Sequence, residues 1–234
     1  APVMLDAQGQ IGVRVAGPML LDGVMVTGAA GAAIRIGQRS AGATIRHTTL
    51  CENAGDGLAL YGAGTQVKNV LVHSNTGSGV SVRTRQAREW TQLLNATIAA
   101  NGGKGVAVRE MGTRTSRLRL YNNIIAYNAQ NGITVGGDTP VAMGYNLNYD
   151  GYGPGVVSGE GDVTDSPQFI SGDLDGVGAL NGCADSALLR LEPTSPAIDA
   201  GHGQVQMVGL SGRAATVDAA PDTGAIDLGY HYQR

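Results

Sequence analysis

Arg83, Arg85, Arg88 and Arg109 crowd into two polar stretches, residues 83 to 91 and 109 to 116, with Trp90 in the first; Arg39 and Tyr61 occupy shorter polar stretches before them. A guanidinium is a planar fork that meets a carboxylate with two parallel hydrogen bonds, and an aromatic ring beside it adds a flat apolar face. That combination suits an anionic polymer, a uronate polysaccharide above all. The competing reading is a solvated edge whose charge answers an acidic partner elsewhere in the chain. A second candidate is Asp173-Leu174-Asp175-Gly176, since two hard carboxylates and a glycine bend are how calcium loops begin. Val177 and Gly178 supply no further ligand, so no cofactor is expected beyond calcium at Asp173 and Asp175. Catalytic residues are not assigned: the repeat region offers Glu52, Asp56, Glu89 and Glu110, none adjacent to another carboxylate, whereas glycoside hydrolysis needs two flanking one bond.

Those residues hang on a pattern that passes four times through residues 41 to 135. Asn53, Asn75, Asn101 and Asn128 are each followed four residues later by Gly57, Gly79, Gly105 and Gly132. Aliphatic pairs come next: Leu58 and Leu60, Val80 and Val82, Val106 and Val108, Ile133 and Val135. Leu50, Val72, Ile98 and Ile125 precede each Asn by three residues, and Ile45, Val67, Leu93 and Leu120 by eight. A second near-column, six residues before, holds His47, Asn69, Asn95 and Asn122. Repeats of this size cannot bury an apolar face alone and must stack.

The aliphatic pairs alternate in and out with a period of two, and no segment is long enough for helical spacing. The expected fold is therefore all-β: a right-handed parallel β-helix, a single-stranded solenoid of three short strands per rung, with rungs over residues 1–150 and a loop-rich C-terminal cap over 151–234 packed on the helix. The recurrent Asn is expected to take the left-handed backbone of a bend and to stack its amide on its copies. Asn53, Asn75, Asn101 and Asn128 form one expected ladder; Asn69, Asn95 and Asn122, with His47 in their column, form another. Val156 and Val157 are expected in a last strand, and Ala29 stands where the bend Asn would be in a worn first copy.

Asn69 to Val82, Asn95 to Val108 and Asn122 to Val135 resemble rungs of the pectate-lyase-like right-handed β-helix superfamily. Ser166-Pro167-Gln168-Phe169, Leu191-Glu192-Pro193-Thr194-Ser195-Pro196-Ala197-Ile198-Asp199-Ala200-Gly201 and Pro221-Asp222-Thr223-Gly224-Ala225-Ile226-Asp227-Leu228-Gly229-Tyr230 are similar to closing motifs of bacterial secreted parallel β-helix repeat proteins of the anchor-bearing kind. The superfamily spans lyases, hydrolases, epimerases, adhesins and spikes, so the resemblance implies a fold and leaves activity open. The Asp-Asp and Arg-Ile-Lys signatures of its hydrolases are absent, and Gly201-His202-Gly203 lies in the cap without partners. The expectation is an extracellular structural or adhesive module presenting a rigid surface to glycans or to copies of itself, with a polysaccharide lyase or epimerase as the alternative.

Composition bears on the same choice. The net charge of -3 divides into plus 7 over residues 1 to 137 (13 basic, 6 acidic) and minus 10 over residues 138 to 234 (3 basic, 13 acidic). Opposite ends could attract neighbouring copies into a filament, or the acidic cap could fold onto the coil. Cys51 and Cys183 either pair, if the cap folds back, or remain thiols. Thr49, Leu71, Thr97 and Ile124 form an outward file beside Cys51, His73, Ala99 and Ala126; a face so poor in charge calls for a cover, the cap being the simplest. No apolar run reaches membrane-spanning length and no nucleic-acid motif occurs. Ala1 without an initiator Met suggests a processed, exported product.

Overall fold

The computed structural model describes residues 3–7, 12–83, 89–109, 117–137, 139–172, 174, 180 and 182–233. Each turn of chain lays strands on three faces, and each strand pairs in parallel with its copies one turn before and after. The first face holds Leu20–Asp22, the first halves of Thr44–Cys51 and Gln66–His73, then Thr91–Leu94, Leu118–Tyr121 and Val141–Gly144. The second holds Val3–Asp6, Val24–Thr27, the second halves of those two long strands, Thr97–Ala99, Ile124–Ala126 and Leu147–Asn148. The third holds Val13–Val15, Ile34–Ile36, Leu58–Leu60, Val80–Val82, Val106–Val108 and Ile133–Val135. Ile45, Val67, Leu93 and Leu120 fall in register, as do Leu50, Val72, Ile98 and Ile125, and all are fully buried in one core. Isolated pairs carry the stack on through Tyr152, Glu160 and Val163; Val156 and Val157 form no strand.

The bends explain the amides, with one correction. At the corner between second and third faces the residues with positive φ are Glu52, Ser74, Ala100 and Tyr127, at 54, 54, 52 and 59°. Asn53, Asn75, Asn101 and Asn128 come one residue later, and their buried side chains point into the coil. The Asn53 backbone N–H and Nδ2 both donate to Asn75 Oδ1 (3.1 and 2.8 Å), and Asn75 repeats this on Asn101 Oδ1 (3.1 and 2.9 Å). Asn101 repeats it again on Asn128 Oδ1, and Asn128 donates to Asp150 Oδ2 (3.0 and 2.7 Å). At the other end Ala29 N–H donates to Asn53 Oδ1 at 3.0 Å. Each amide also donates to strand carbonyls, so every buried polar atom of the stack finds a partner. Burial raises the Asp150 carboxyl, while the amides donating to it favour its ionised form.

The expected second stack of Asn69, Asn95 and Asn122 does not form. These residues and His47 do take the left-handed bend between first and second faces, with φ of 51, 52, 59 and 51°. That geometry turns their side chains outward, and the stacking position falls one residue later. There Ala96 N–H donates to Asn123 Oδ1, Asn123 to Asn146 Oδ1 (2.9 Å from Nδ2), and Asn146 to Asp162 Oδ1. His47 Nδ1 pairs instead with Asp22 Oδ1 at 2.8 Å. The glycine column follows from close approach. A Cβ on Gly79 would strike Ile98 Cγ2 and lie 2.9 Å from Gly105 O, and Gly57 and Gly105 face the same obstruction.

The C-terminal segment covers the second face. Leu71, Ala99, Ile124, Ala126 and Leu147 form an apolar cluster with Phe169, Leu189, Leu191, Ala197, Leu228 and Tyr232. The segment has little regular structure, a 3-10 helix at Cys183–Leu189 and one helical turn at Val205–Val208, so it depends on attachments. Cys51 and Cys183 are joined in a disulfide across 132 residues. Asn69 clamps His231, donating to its carbonyl (2.8 Å) and accepting from its N–H (2.6 Å); Asn122 does the same with His202 (3.1 and 2.8 Å). His73, fully buried, meets Ser186 Oγ at 2.8 Å and Ser74 Oγ at 3.1 Å.

Asn101→Ala, which strands the donors of Asn75 and two strand carbonyls, should lower unfolding free energy in urea by roughly 3 kcal/mol; a loss near zero would mean that the ladder does not hold the coil. Reduction of the disulfide, or Cys51→Ser, should cost about 2 to 5 kcal/mol, read as a fall in melting temperature, and should leave the far-ultraviolet spectrum of the coil unchanged. Burial holds the His73 imidazole down to about 4, partly opposed by Asp185, so it stays neutral while the unfolded chain takes up a proton below 6.5. Its contribution is therefore present above pH 6.5 and is lost as pH falls toward 4. Asp227, raised by burial to about 6, works in the opposite sense, since its contribution is lost as pH rises through 6. The two are separated by comparison: between pH 6.5 and 4 the wild type should lose on the order of 3 kcal/mol more stability than His73→Gln.

Candidate functional site

The third face is the one on which the basic residues gather. Its strands point alternate residues into the core, and the outward file runs Arg14, Arg35, Ala59, Ser81, Ala107, Thr134. At the corner that ends each strand, the N–H groups of Gly37, Tyr61, Arg83 and Arg109 donate to Val15, Ile36, Leu60 and Val82 carbonyls, so these four stand one above another. With rungs ~4.8 Å apart, Tyr61, Arg83 and Arg109 stand in one column along that corner.

Around Tyr61 the cations converge. Arg35 Cζ lies 4.7 Å from the ring centroid and Arg83 Cζ 6.0 Å, distances at which a guanidinium is attracted to a ring face. Arg14, Arg35, Gln38, Arg39 and Tyr61 line a hollow of about 470 Å³. Further along, Lys104, Arg109, Asn131 and Thr134 border a second of about 520 Å³. Among the described residues no carboxylate lines either hollow. Asp56 is engaged by Ser78 N–H (2.9 Å) and Ser81 Oγ (2.6 Å). Arg83 Nε is buried and makes no hydrogen bond.

The residues singled out from the sequence are thus partly regrouped. Arg39, Tyr61, Arg83 and Arg109 share the third face. Trp90 does not join them: Arg117 and Arg119, leading into and along the first face, lie 5.9 and 5.0 Å from its ring. Trp90 stands at the far end of its excursion, where the chain enters the next first-face strand. Arg85 and Arg88, and the calcium candidates Asp173 and Asp175, lie outside the described residues. Arg14, Arg35 and Lys104 were not singled out from sequence, yet the signal for the first two was present: each is the middle residue of an aliphatic-Arg-aliphatic triplet, which forces it outward.

Two other clusters can hold charge. His231 Nε2 meets Asp222 Oδ2 at 2.8 Å while Nδ1 meets Gly229 O at 3.1 Å, and Asp222, Asp227 and His231 offer ligand atoms within 4.8 Å of one another. All three are buried, and Asp222 Oδ2 also accepts Asp227 N–H, so the group ties the end of the chain into the cap; it is also the metal-capable set among the described residues. Polar pairing runs within each half of the chain: Asp22 pairs with Arg46 and meets His47 in the coil, and Asp222 meets His231 in the cap. The acidic cap sits on the second face, and Arg14, Arg35, Arg39 and Arg109 are exposed.

No helix among the described residues is long and apolar enough to cross a membrane. No curated protein and no solved structure matches the chain. Residues 22–187, well over half of the 234, match the family model described as the right handed beta helix region, and with its three-faced parallel stack the chain belongs to that β-helix family.

Proposed function

We propose that this β-helix is an extracellular structural or adhesive module whose third face binds an acidic polysaccharide. The observation that carries the reading is the cation set Arg14, Arg35, Arg39, Lys104 and Arg109 lining two hollows, with Arg83 beside Tyr61 and no carboxylate among the described lining residues. A rigid stack holds these groups at fixed intervals, so a repeating anion meets several at once without ordering the protein first. Guanidinium forks suit carboxylates, and Tyr61 supplies a flat face between two of them. Export is supported by the Cys51–Cys183 disulfide, which persists in oxidising surroundings, and by closing motifs similar to those of secreted, anchor-bearing repeat proteins. A lyase or epimerase on the same polymer is the alternative use of the groove. End-to-end association between copies is a further reading, favoured by the strand Val3–Asp6, which ends its sheet and leaves Met4 63% exposed.

Binding to polygalacturonate, measured by calorimetry across salt concentrations, tests the proposal. Affinity should fall as ionic strength rises, and Arg35→Ala and Arg83→Ala should each weaken it roughly tenfold, the loss of about one charge-assisted hydrogen bond. Salt-independent binding, or variants that bind as wild type does, would remove the third face as the site. Absorbance from unsaturated chain ends in the same samples would turn the reading toward a lyase.

A further inference from the structure

Three outward amides stand one rung apart at the corner between first and second faces, and they are not treated alike. Asn69 and Asn122 each exchange two hydrogen bonds with a cap backbone residue, His231 and His202. Asn95, between them, has no such partner: the residue is 4% exposed and its Nδ2 is buried without a hydrogen bond. The cap bridges over it by way of the turn Val205–Val208, leaving a hollow of about 290 Å³ that Asn95, Lys68, Leu94, Met207, Val208 and Leu210 help to line.

The charges around that hollow specify what fits. Arg46, Lys68 and Leu94 follow one another in register. Arg46 is already held by Asp22 at 2.8 Å, and His47 shares the same carboxylate. Arg213, from the cap, lies close enough to His47 to disfavour its protonation. Among the described residues Lys68 has no carboxylate on it, and none lines the hollow. The Asn95 Nδ2 and the Lys68 ammonium are donors without an acceptor among those residues, the Asn95 Oδ1 is the amide's own acceptor beside them, and the opposite wall is aliphatic. An occupant must therefore accept hydrogen bonds, carry negative charge and present an apolar body, and the volume, at the small end for ligand pockets, suits a single small molecule rather than a chain of sugars.

We propose that this coil–cap pocket is a binding site for a small organic carboxylate with an apolar body, its carboxylate received by Lys68 and the Asn95 amide and its body by Leu94, Met207 and Leu210. A carboxylate has lone pairs for both donors, and a charge-assisted bond in a part-buried site is stronger than a neutral one. The site is separate from the third-face groove, so either can stand without the other.

Hexanoate, 1-hexanol and hexylammonium, titrated into the intact disulfide-bonded protein, test this. Hexanoate should bind one to one, hexanol at least roughly tenfold more weakly, and hexylammonium not at all. The Asn95 side-chain amide resonance should move on hexanoate addition while those of Asn75 and Asn101 stay in place. Lys68→Met should reduce hexanoate affinity roughly tenfold or more without lowering the melting temperature of the free protein, and Asn95→Ala should reduce it as well. No hexanoate binding at millimolar concentration, which would leave water as the partner of Asn95, would overturn the proposal. So would equal affinity for hexanol, or undiminished binding by Lys68→Met.

Discussion

A buried Asn amide of the ladder has its acceptor filled and its donors completed by the group one turn away, and that constraint organises the molecule. An Asn side chain carries both a donor and an acceptor, so a stack of them can be extended turn by turn with no polar atom left over. The termini of the stack need groups of one kind only. A backbone N–H, that of Ala29, closes the ladder at one end, and an acceptor carboxylate, Asp150, closes it at the other. The second ladder repeats the device on a smaller scale, from Ala96 N–H through Asn123 and Asn146 to Asp162. Because a rung misplaced by one residue would break several such bonds together, the stack holds its register even where excursions of different length interrupt it.

With the register held, the three faces take different roles. The second is apolar on its outer side and is buried under the C-terminal segment through a disulfide, an imidazole–hydroxyl contact and an apolar cluster. The first is bordered by outward amides that grip the same segment at two points and leave an opening at a third. The third carries exposed Arg14 and Arg35 at its start and Tyr61, Arg83 and Arg109 along its corner, while Ala59, Ser81 and Ala107 in its outer file are buried. The charge division of the chain is thereby kept apart in space: acidic loops lie over one side and cationic side chains project from another.

How much of this was legible differs by residue. The aliphatic columns, the core they form and the Asn53 to Asn128 ladder could be read from spacing, because a repeated side chain at a fixed offset has a single place to go in a stack. The column of Tyr61, Arg83 and Arg109 follows from the same spacing, since each comes directly after its strand. Arg35 was legible in principle from its aliphatic neighbours. Trp90 was misplaced because an excursion has two ends, and sequence alone does not say which corner its last residue reaches.

The sequence by itself determined the coil: period-two alternation inside a recurrent unit is a local pattern, and local backbone geometry with nearest-rung stacking is enough to convert it into three faces. Only the tertiary structure decided which of two neighbouring columns stacks. Asn69, Asn95 and Asn122 look from spacing like ladder residues, but the left-handed bend turns them outward and hands the stack to the next residue. It also decided that Cys51 meets Cys183 and that Asn69 meets His231, contacts between positions 132 and 162 residues apart. The path of an irregular cap carries no repeat, so no periodicity announces where it will land; that is settled when its apolar residues find the one uncharged face the coil leaves open.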